Sequence, residues 1–318
     1  MKNKYYVGVD VGGTKIVAGL VTAGGKILTR EKTPTPTNAP AKKIVQILQS
    51  VIENVVHAEG LRIKDISAIG MGVPGLVSPD GRITRTPNMN LSGFNLAREL
   101  KSKLKVKIAI GNDVNVGLLG EKWMGAARKT KNVVSLFVGT GLGAAAIVDD
   151  KLMLGAHGAA CEIGHMTIVK GGHLCSCGNQ GCLEAYVGRW AIERDIRESI
   201  KAGQKSVVTR MIDGEVKSIK SKVLLKALAQ KDHLITRVIK DVSQTLGMAA
   251  VSVRHIFDPE MIIFGGGVIE ACGDFILPMI RKAILTDKLF VGLKNCQVVS
   301  SELGDDAIIL GGVDLAQR

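Results

Sequence analysis

His165, Cys175, Cys177 and Cys182 are spaced H-x9-C-x-C-x4-C within one short stretch. One imidazole and three thiolates make a tetrahedral Zn2+ donor set, and a zinc with four protein ligands is structural because no position is left open for chemistry. Three cysteines within eight residues of a chain with cytosolic character argue for metal over disulfides. The alternative is three buried, inert thiols, which the Gly and Asn turns between them oppose. His173 competes as the fourth ligand; it is nearer in sequence and would leave a tighter loop. Cys161, Cys272 and Cys296 are isolated and read as ordinary core residues. Glu162 and Glu184 flank the cluster, where they can accept hydroxyl groups from a polyol, although isolated glutamates are ordinarily solvated surface groups.

A second carboxylate lies in IAIGNDVNVGLLGEKW, where Asn112 or Asp113 ends a strand expected to be buried (Val106 to Ile110) and starts a helix over Val114 to Trp123. Two readings stand level. Asn and Asp are preferred helix N-caps. A carboxylate at such a place is also a general base for phosphoryl transfer, taking the acceptor hydroxyl's proton while Mg2+ and backbone donors stabilise the moving group.

Three glycine clusters supply the third kind of chemistry. GVDVGGTK (Gly8 to Lys15) has the glycine spacing of a Walker A loop but reverses its Lys and Thr and contains Asp10. Alternation on both sides makes it a hairpin, so no helix follows, and both the Walker and the dinucleotide readings fail. FVGTGLG and FGGGVI (Phe264 to Ile269) are the other two, the last lying between a strand over Met261 to Phe264 and a helix. Any one cluster is most simply a tight turn; three point to phosphates held by backbone N–H groups.

Such groups need elements to position them. VVSLFVGTGLGAAAIVDDKLMLG reads as strand, glycine turn, strand, Asp-Asp turn, strand, and repeats the pattern of Tyr5 to Leu28. A duplicated hairpin implies two similar lobes facing one ligand. TPTPTNAP (Thr33 to Pro40) breaks the chain, and a helix over Ala41 to Glu59 carries an apolar stripe of Ile44, Ile47, Leu48, Val51, Ile52 and Val55. Ile66 to Val73 is a strand ending in GVPG, PDGRITRTPNMNLSGF a turn-rich loop expected to face substrate, and Leu96 to Lys103 a short helix. Ala307 to Gln317 is the last helix.

The 318 residues, 46% hydrophobic, suffice for one large or two ordinary domains with packed cores. Asp10 and a glycine pair interrupt the first apolar run, excluding a signal peptide, and Val133 to Val148 is too short and glycine-rich to span a bilayer. A cytoplasmic protein with no membrane partner is expected. The formal charge of +13 suggests nucleic acid, but aromatics at 3% leave few stacking platforms and no DNA-binding motif precedes the first hairpin. Part of the excess lies in a solvated stretch from Lys201 to Lys231, and a basic surface equally suits ATP as substrate.

DVGGTK, GVPG, NDVN, FVGTGLG, EIGH, CSCGNQGCLE and FGGGV, in this order, resemble the ROK family of repressors, open reading frames and sugar kinases over Tyr5 to about Gln317. E-x-G-H followed by C-x-C-G-x-x-G-C-x-E is the specific part. The resemblance is nearest to the ATP-dependent glucokinase branch. It implies an α/β, actin/hexokinase-like (ribonuclease H-like) duplicated fold of two lobes about a central cleft, closing to exclude water. Residues 1–113 would form a small lobe joined by a C-terminal helix at 303–318, and residues 114–302 a large lobe with the zinc loop.

By the same resemblance, Gly12, Gly13 and Thr14 meet the ATP phosphates and Asp10 helps hold hydrated Mg2+, while Lys15 receives no role. Thr140, Gly141 and Gly143 form the second phosphate turn, and Gly265, Gly266 and Gly267 lie against the adenosine. Asp113 is the base that makes a sugar 6-phosphate. Asn112, Glu162, His165 and Glu184 contact the sugar together with Asp113, with Gly75 and Asn90 as further contributors. His165 would serve both zinc and sugar, so metal loss disorders the sugar site. ATP, Mg2+ and structural Zn2+ are the implied cofactors, a hexose the substrate, and a homodimer or higher homo-oligomer the assembly, with no nucleic acid.

Departures from the family pattern are Gly111 for Glu, Val114 and Gly117 for alanines, and Cys161 for the glycine before EIGH, which adds bulk beside Glu162. The repressor branch is disfavoured because only four residues precede the first hairpin. The alternatives to a glucokinase are a kinase for another hexose or amino sugar (N-acetylmannosamine, N-acetylglucosamine, fructose, allose) and a non-catalytic sugar-sensing regulator.

Overall fold

Alternating valines in Tyr5–Val11 (β1) put Val7, Val9 and Val11 wholly out of solvent. β1 pairs antiparallel with Lys15–Thr22 (β2), which pairs antiparallel with Ile27–Pro34 (β3). On its other side β1 runs parallel to Ile66–Val73 (β4), and β4 parallel to Lys107–Asn112 (β5), giving the order β3-β2-β1-β4-β5. β5 is half-buried where a buried strand was expected. The computed structural model describes residues 4–318 except 37, 79, 87–88, 212–218 and 294. Thr37 of the proline-rich break, Pro79, Pro87 and Asn88 of the expected substrate loop, and part of the Lys201 to Lys231 stretch lie outside the described residues.

The helix Ala41–His57 (α1) buries Ile44, Leu48, Val51, Ile52 and Val55, the stripe that its 3.6-residue period demands. Leu96–Leu104 (α2) starts where the Asn95 side chain caps Arg98 N–H, and Asp113–Trp123 (α3) starts where Asn112 caps it. Between β4 and α2 the segment expected as a loop is partly a small sheet: Arg82–Arg85 pairs with Leu76–Val77 and Phe94–Asn95. Ile83, wholly buried within it, supplies an apolar anchor that the turn-rich composition conceals.

The C-terminal helix, Ala307–Gln317, lies against this sheet and α3 by backbone contact. A Cβ at Gly8 would run into the Ile309 carbonyl, one at Gly70 into that of Gly312, and one at Gly311 into that of Val116. Four glycines on facing elements thus set the approach, and any larger residue there would force the elements apart.

A second sheet repeats the pattern. Val133–Val138 (β6) and Leu142–Val148 (β7) form an antiparallel hairpin, β6 runs parallel to Met261–Gly265 (β8), and β8 parallel to Gln297–Ser300 (β9). The run β7-β6-β8-β9 reproduces β2-β1-β4-β5 in both order and direction. The duplication expected from the repeated strand-and-turn pattern of the two hairpins therefore extends to the parallel strands beside them. The helices Arg189–Lys201 (α4), Ser221–Ala229 (α5), His233–Phe257 (α6) and Gly267–Thr286 (α7) belong with this sheet.

The chain divides into two compact units: residues 1–129, 151–160 and 302–318, and residues 130–150 and 161–301. The expected division after residue 113 differs from this, because α3 packs on the C-terminal helix and stays with the first unit. Among the described residues no helix is long and apolar enough to cross a membrane.

Candidate functional site

In the first unit the candidate residues gather at the carboxyl ends of the parallel strands. Asp10, Gly72 and Gly111 are register partners across β1, β4 and β5, and α3 begins two residues beyond Gly111. Strand ends of this kind are where open α/β sheets bind ligands. Asn112 is the cap: its Oδ1 accepts from the N–H groups of Val114 at 2.9 Å and Asn115 at 3.0 Å. Its Nδ2 donates to the Gly75 carbonyl at 3.1 Å, tying the GVPG turn to the helix start. Gly75 has φ +107, and a Cβ there would strike the Arg85 carbonyl.

Asp113 is the first helical residue, its backbone packed beside Gly72 and its Oδ1 accepting from Val114 N–H at 3.0 Å. Of the two candidates it is thus Asn112 that caps the helix, and Asp113 stands one residue beyond it. Asp10 is close enough to feel it: burial, first, and then the charges of Asp113 and Asp305 raise the Asp10 carboxyl to about 7, against the opposing pull of Lys15. Carboxylates gathered at this density favour either a proton or a cation. Lys15 itself pairs with Asp305 at 2.7 Å.

The first glycine turn is closed by Gly12 N–H to the Lys15 carbonyl at 2.9 Å, and Gly13 and Thr14 are exposed. Thr35 grips it from outside, with its hydroxyl donating to the Gly12 carbonyl at 2.6 Å and its N–H to the Thr14 carbonyl at 3.0 Å. No pattern in TPTPTNAP distinguished this threonine. Asn90 is exposed, and its amide donates to the Ala39 carbonyl at 3.3 Å.

In the second unit the turn between β6 and β7 is closed by Gly139 N–H to the Gly141 carbonyl at 3.0 Å. The start of α4 grips it: Arg189 N–H donates to the Gly139 carbonyl at 3.1 Å and Trp190 N–H to the Thr140 carbonyl at 3.2 Å. The Arg189 guanidinium also donates to Thr140 Oγ1 at 3.1 Å, a contact that sequence reasoning missed. Gly143 lies in β7 opposite Phe137. The third cluster is adjacent, because Gly265 is the register partner of Phe137. A Cβ at Gly265 would crowd the Phe137 ring, and Gly266, with φ +83, lies against the Val138 backbone at the start of α7; Gly267 opens that helix.

The metal cluster forms in the same unit. The donor atoms of His165, Cys175, Cys177 and Cys182 all lie within 4.8 Å of one another, with His165 Nδ1 to Cys175 Sγ and Cys177 Sγ to Cys182 Sγ both at 3.7 Å. Tetrahedral zinc with its usual bond lengths needs donor separations of about 3.5–3.8 Å. Burial pushes the Cys175 thiol up to about 12, so a thiolate there calls for a cation, which zinc would supply. The residues fit the ion. His173 takes no part: its ring sits 5.2 Å from that of Tyr186, outside the donor set.

With Nδ1 turned to the thiols, His165 directs Nε2 toward Glu162 Oε2 at 3.9 Å. Burial raises the Glu162 carboxyl above its ordinary range. Glu184, expected beside substrate, is only 7% exposed and accepts from Leu142 N–H, Ser176 Oγ and Trp190 Nε1. Cys272 and Cys296 are buried as expected, whereas Cys161 is half-buried with φ +65, a conformation that explains the glycine usual in its place and corrects its reading as a core residue. A surface cavity of about 640 Å3 beside Arg237, Lys240 and Phe275 includes none of these residues in its lining.

Residues 6–318 match the ROK family. The glucokinase of Thermotoga maritima is 33% identical over 98% of this chain and 97% of its own length. The xylose repressor of Caldicellulosiruptor bescii is 32% identical over 96% of this chain and 76% of its own length. The crystal structure of a ROK family glucokinase from Streptomyces griseus, in complex with glucose and AMPPNP, superposes with a TM-score of 0.85 at 31% identity, covering 98% of this chain and 99% of that one. The expected actin/hexokinase-like α/β fold is the one these relatives share. With a family match over residues 6–318 and a 33%-identical relative matched along almost its whole length, the chain belongs to the ROK family.

Proposed function

We propose that this protein is an ATP-dependent hexose kinase acting on glucose at its 6-hydroxyl. The observation that carries the reading is the position of Asp113, opening α3 at the carboxyl end of β5 and sharing the electrostatics of Asp10 beside the first glycine turn. The glucokinase kinship of Thermotoga maritima and the glucose and AMPPNP held by the Streptomyces griseus relative support the choice of ligands.

In this reading Asp113 accepts the proton of the sugar hydroxyl as its oxygen bonds to the γ-phosphorus, the bond to the bridging oxygen breaks, and ADP leaves. The turns at Gly12, Gly13 and Thr14 and at Thr140, Gly141 and Gly143 meet the phosphates, and Gly265 to Gly267 lie against the adenosine. Asp10 would help hold hydrated Mg2+, which would supply charge neutralisation on the transferring group. Asn112, Glu162 and His165 orient the sugar, with Gly75 and Asn90 shaping its loop. Glu184, expected to join them, acts from its buried position through the segments it holds, and zinc on His165, Cys175, Cys177 and Cys182 would keep His165 in place. The protein works in the cytoplasm as a homodimer or larger homo-oligomer.

A sugar-sensing regulator is the second reading, favoured by the match to the Caldicellulosiruptor bescii xylose repressor. ADP release with Mg-ATP and a hexose panel separates the two. Turnover on glucose, reduced about 100- to 10,000-fold in Asp113→Asn while glucose still binds, is the expected result. Turnover only on another sugar replaces the substrate, and no turnover by zinc-loaded, folded protein rejects the kinase.

A further inference from the structure

Glu184 touches two structures, at Leu142 and Ser176, that are well separated in sequence. Its Oε2 accepts from Leu142 N–H at 2.9 Å, directly after the second glycine turn. Its Oε1 accepts from Ser176 Oγ at 2.8 Å, between two cysteines of the metal loop, and from Trp190 Nε1 at 3.3 Å. Cys175 Sγ is 3.7 Å from the same oxygen. The fit is close: a Cβ on Gly141 would collide with Oε2, and one on Gly188 would lie 3.2 Å from Gly141 Cα.

The carboxylate of a residue 93% removed from solvent depends on these donors. Loss of the donors on one oxygen frees the other to move. Leu142 N–H belongs to the peptide that follows Gly141, so Glu184 orients the backbone of the turn itself. The metal loop in turn orients Ser176, which lies between Cys175 and Cys177 and has no fixed partner on the turn.

We propose that Glu184 is a positioning residue that couples the metal-binding loop to the second glycine turn, so that metal occupancy sets nucleotide affinity as well as sugar affinity. This rests on the reading of Gly139 to Gly143 as a phosphate turn. It goes further by giving the zinc loop a route to the nucleotide that does not pass through His165. Glutamine cannot replace the carboxylate: it has one acceptor oxygen, and Leu142 N–H and Trp190 Nε1 are both obligatory donors.

The chain has two tryptophans, so Trp123→Phe leaves Trp190 as the single tryptophan, excited selectively over the tyrosines and hydrogen-bonded to the residue in question. In that background, ADP and glucose dissociation constants, Trp190 emission and hydrogen exchange at the Leu142 amide are measured with zinc bound and after dialysis against a chelator. Zinc removal is expected to weaken ADP about tenfold, shift the Trp190 emission and speed Leu142 exchange. Glu184→Gln is expected to weaken ADP by a similar factor with zinc bound, and chelation then adds about twofold or less, because the coupling is already broken. Ser176→Ala, which removes one donor without touching the turn, is expected to give about a threefold loss and carries the test should Glu184→Gln not fold. An unchanged ADP constant and unchanged Leu142 exchange on chelation, with only glucose weakened, overturns the coupling. Zinc-loaded wild-type protein that binds no ADP overturns the kinase reading instead, and Leu142 exchange still decides the coupling.

Discussion

The two glycine turns are built on the same strand pattern and are held in opposite ways. The first, Gly12 to Lys15, is exposed and gripped by one threonine hydroxyl and one backbone N–H, both from Thr35 in the extended segment after β3. The second, Gly139 to Gly143, is clamped by the start of α4 and by a buried carboxylate that also reaches the metal loop. One turn is anchored by a loop and can yield; the other is part of a packed, polar network in which each bond depends on its neighbours. Duplication thus copied the strands, and the turns' supports diverged.

The sharpest test of the contrast is within the second turn. Gly141→Ala places a methyl group on the Glu184 carboxylate, while Gly139 faces open space. We expect Gly141→Ala to cost about 3 kcal/mol of stability and to raise the ATP KM about tenfold or more, with Gly139→Ala near wild type on both measures. Thermal unfolding and steady-state kinetics check this; equal effects at the two positions would erase the distinction drawn for this turn. At the first turn, Thr35→Ala removes one hydroxyl donor from an exposed loop. A loss of about 1 kcal/mol, seen as about a fivefold rise in ATP KM without a change in the sugar KM, is expected.

A further test concerns pH. Asp10 is raised from 3.8 to about 7 in the folded chain, so between these values the folded state keeps a proton that the unfolded chain has released. Its contribution is present below pH 4 and is lost as pH rises through 7. Ligand-free protein should therefore lose stability over that window, and Asp10→Asn should flatten the slope in urea titrations. A slope identical in wild type and variant would remove Asp10 from the account.

Short-range patterns were the readable part of this molecule. Alternation marked β1, β2, β6 and β7, the 3.6-residue stripe marked α1, and cysteine spacing marked three of the four metal donors. The loop from Pro79 to Phe94 was harder: its strands are two to four residues long and pair with one another, so no run was long enough to show a period. Cys161 passed for a core residue because its positive φ leaves no trace in its own chemistry.

For Asn112 and Asp113, residue type alone could not say which would cap the helix, since both side chains can. The register of β5 against β4 decides it, pairing Asn112 with Val73 and leaving Asp113 to open α3. Glu184 shows the same limit from the other side. Its place after Cys182 was plain, yet its partners, Leu142, Ser176 and Trp190, come from three separate segments.

By itself, then, the sequence determined which residue types were present and how each stretch of backbone would curl or extend, because these depend on neighbours within a few positions. It specified the strands of the two hairpins, the turn glycines and the thiol donors. Only the tertiary structure set His173 outside the donor set, made Asn112 the cap, and turned Glu184 inward. Those choices depend on which donors meet in space once solvent is excluded, and a buried carboxylate or thiol takes its role from the partners that replace its water.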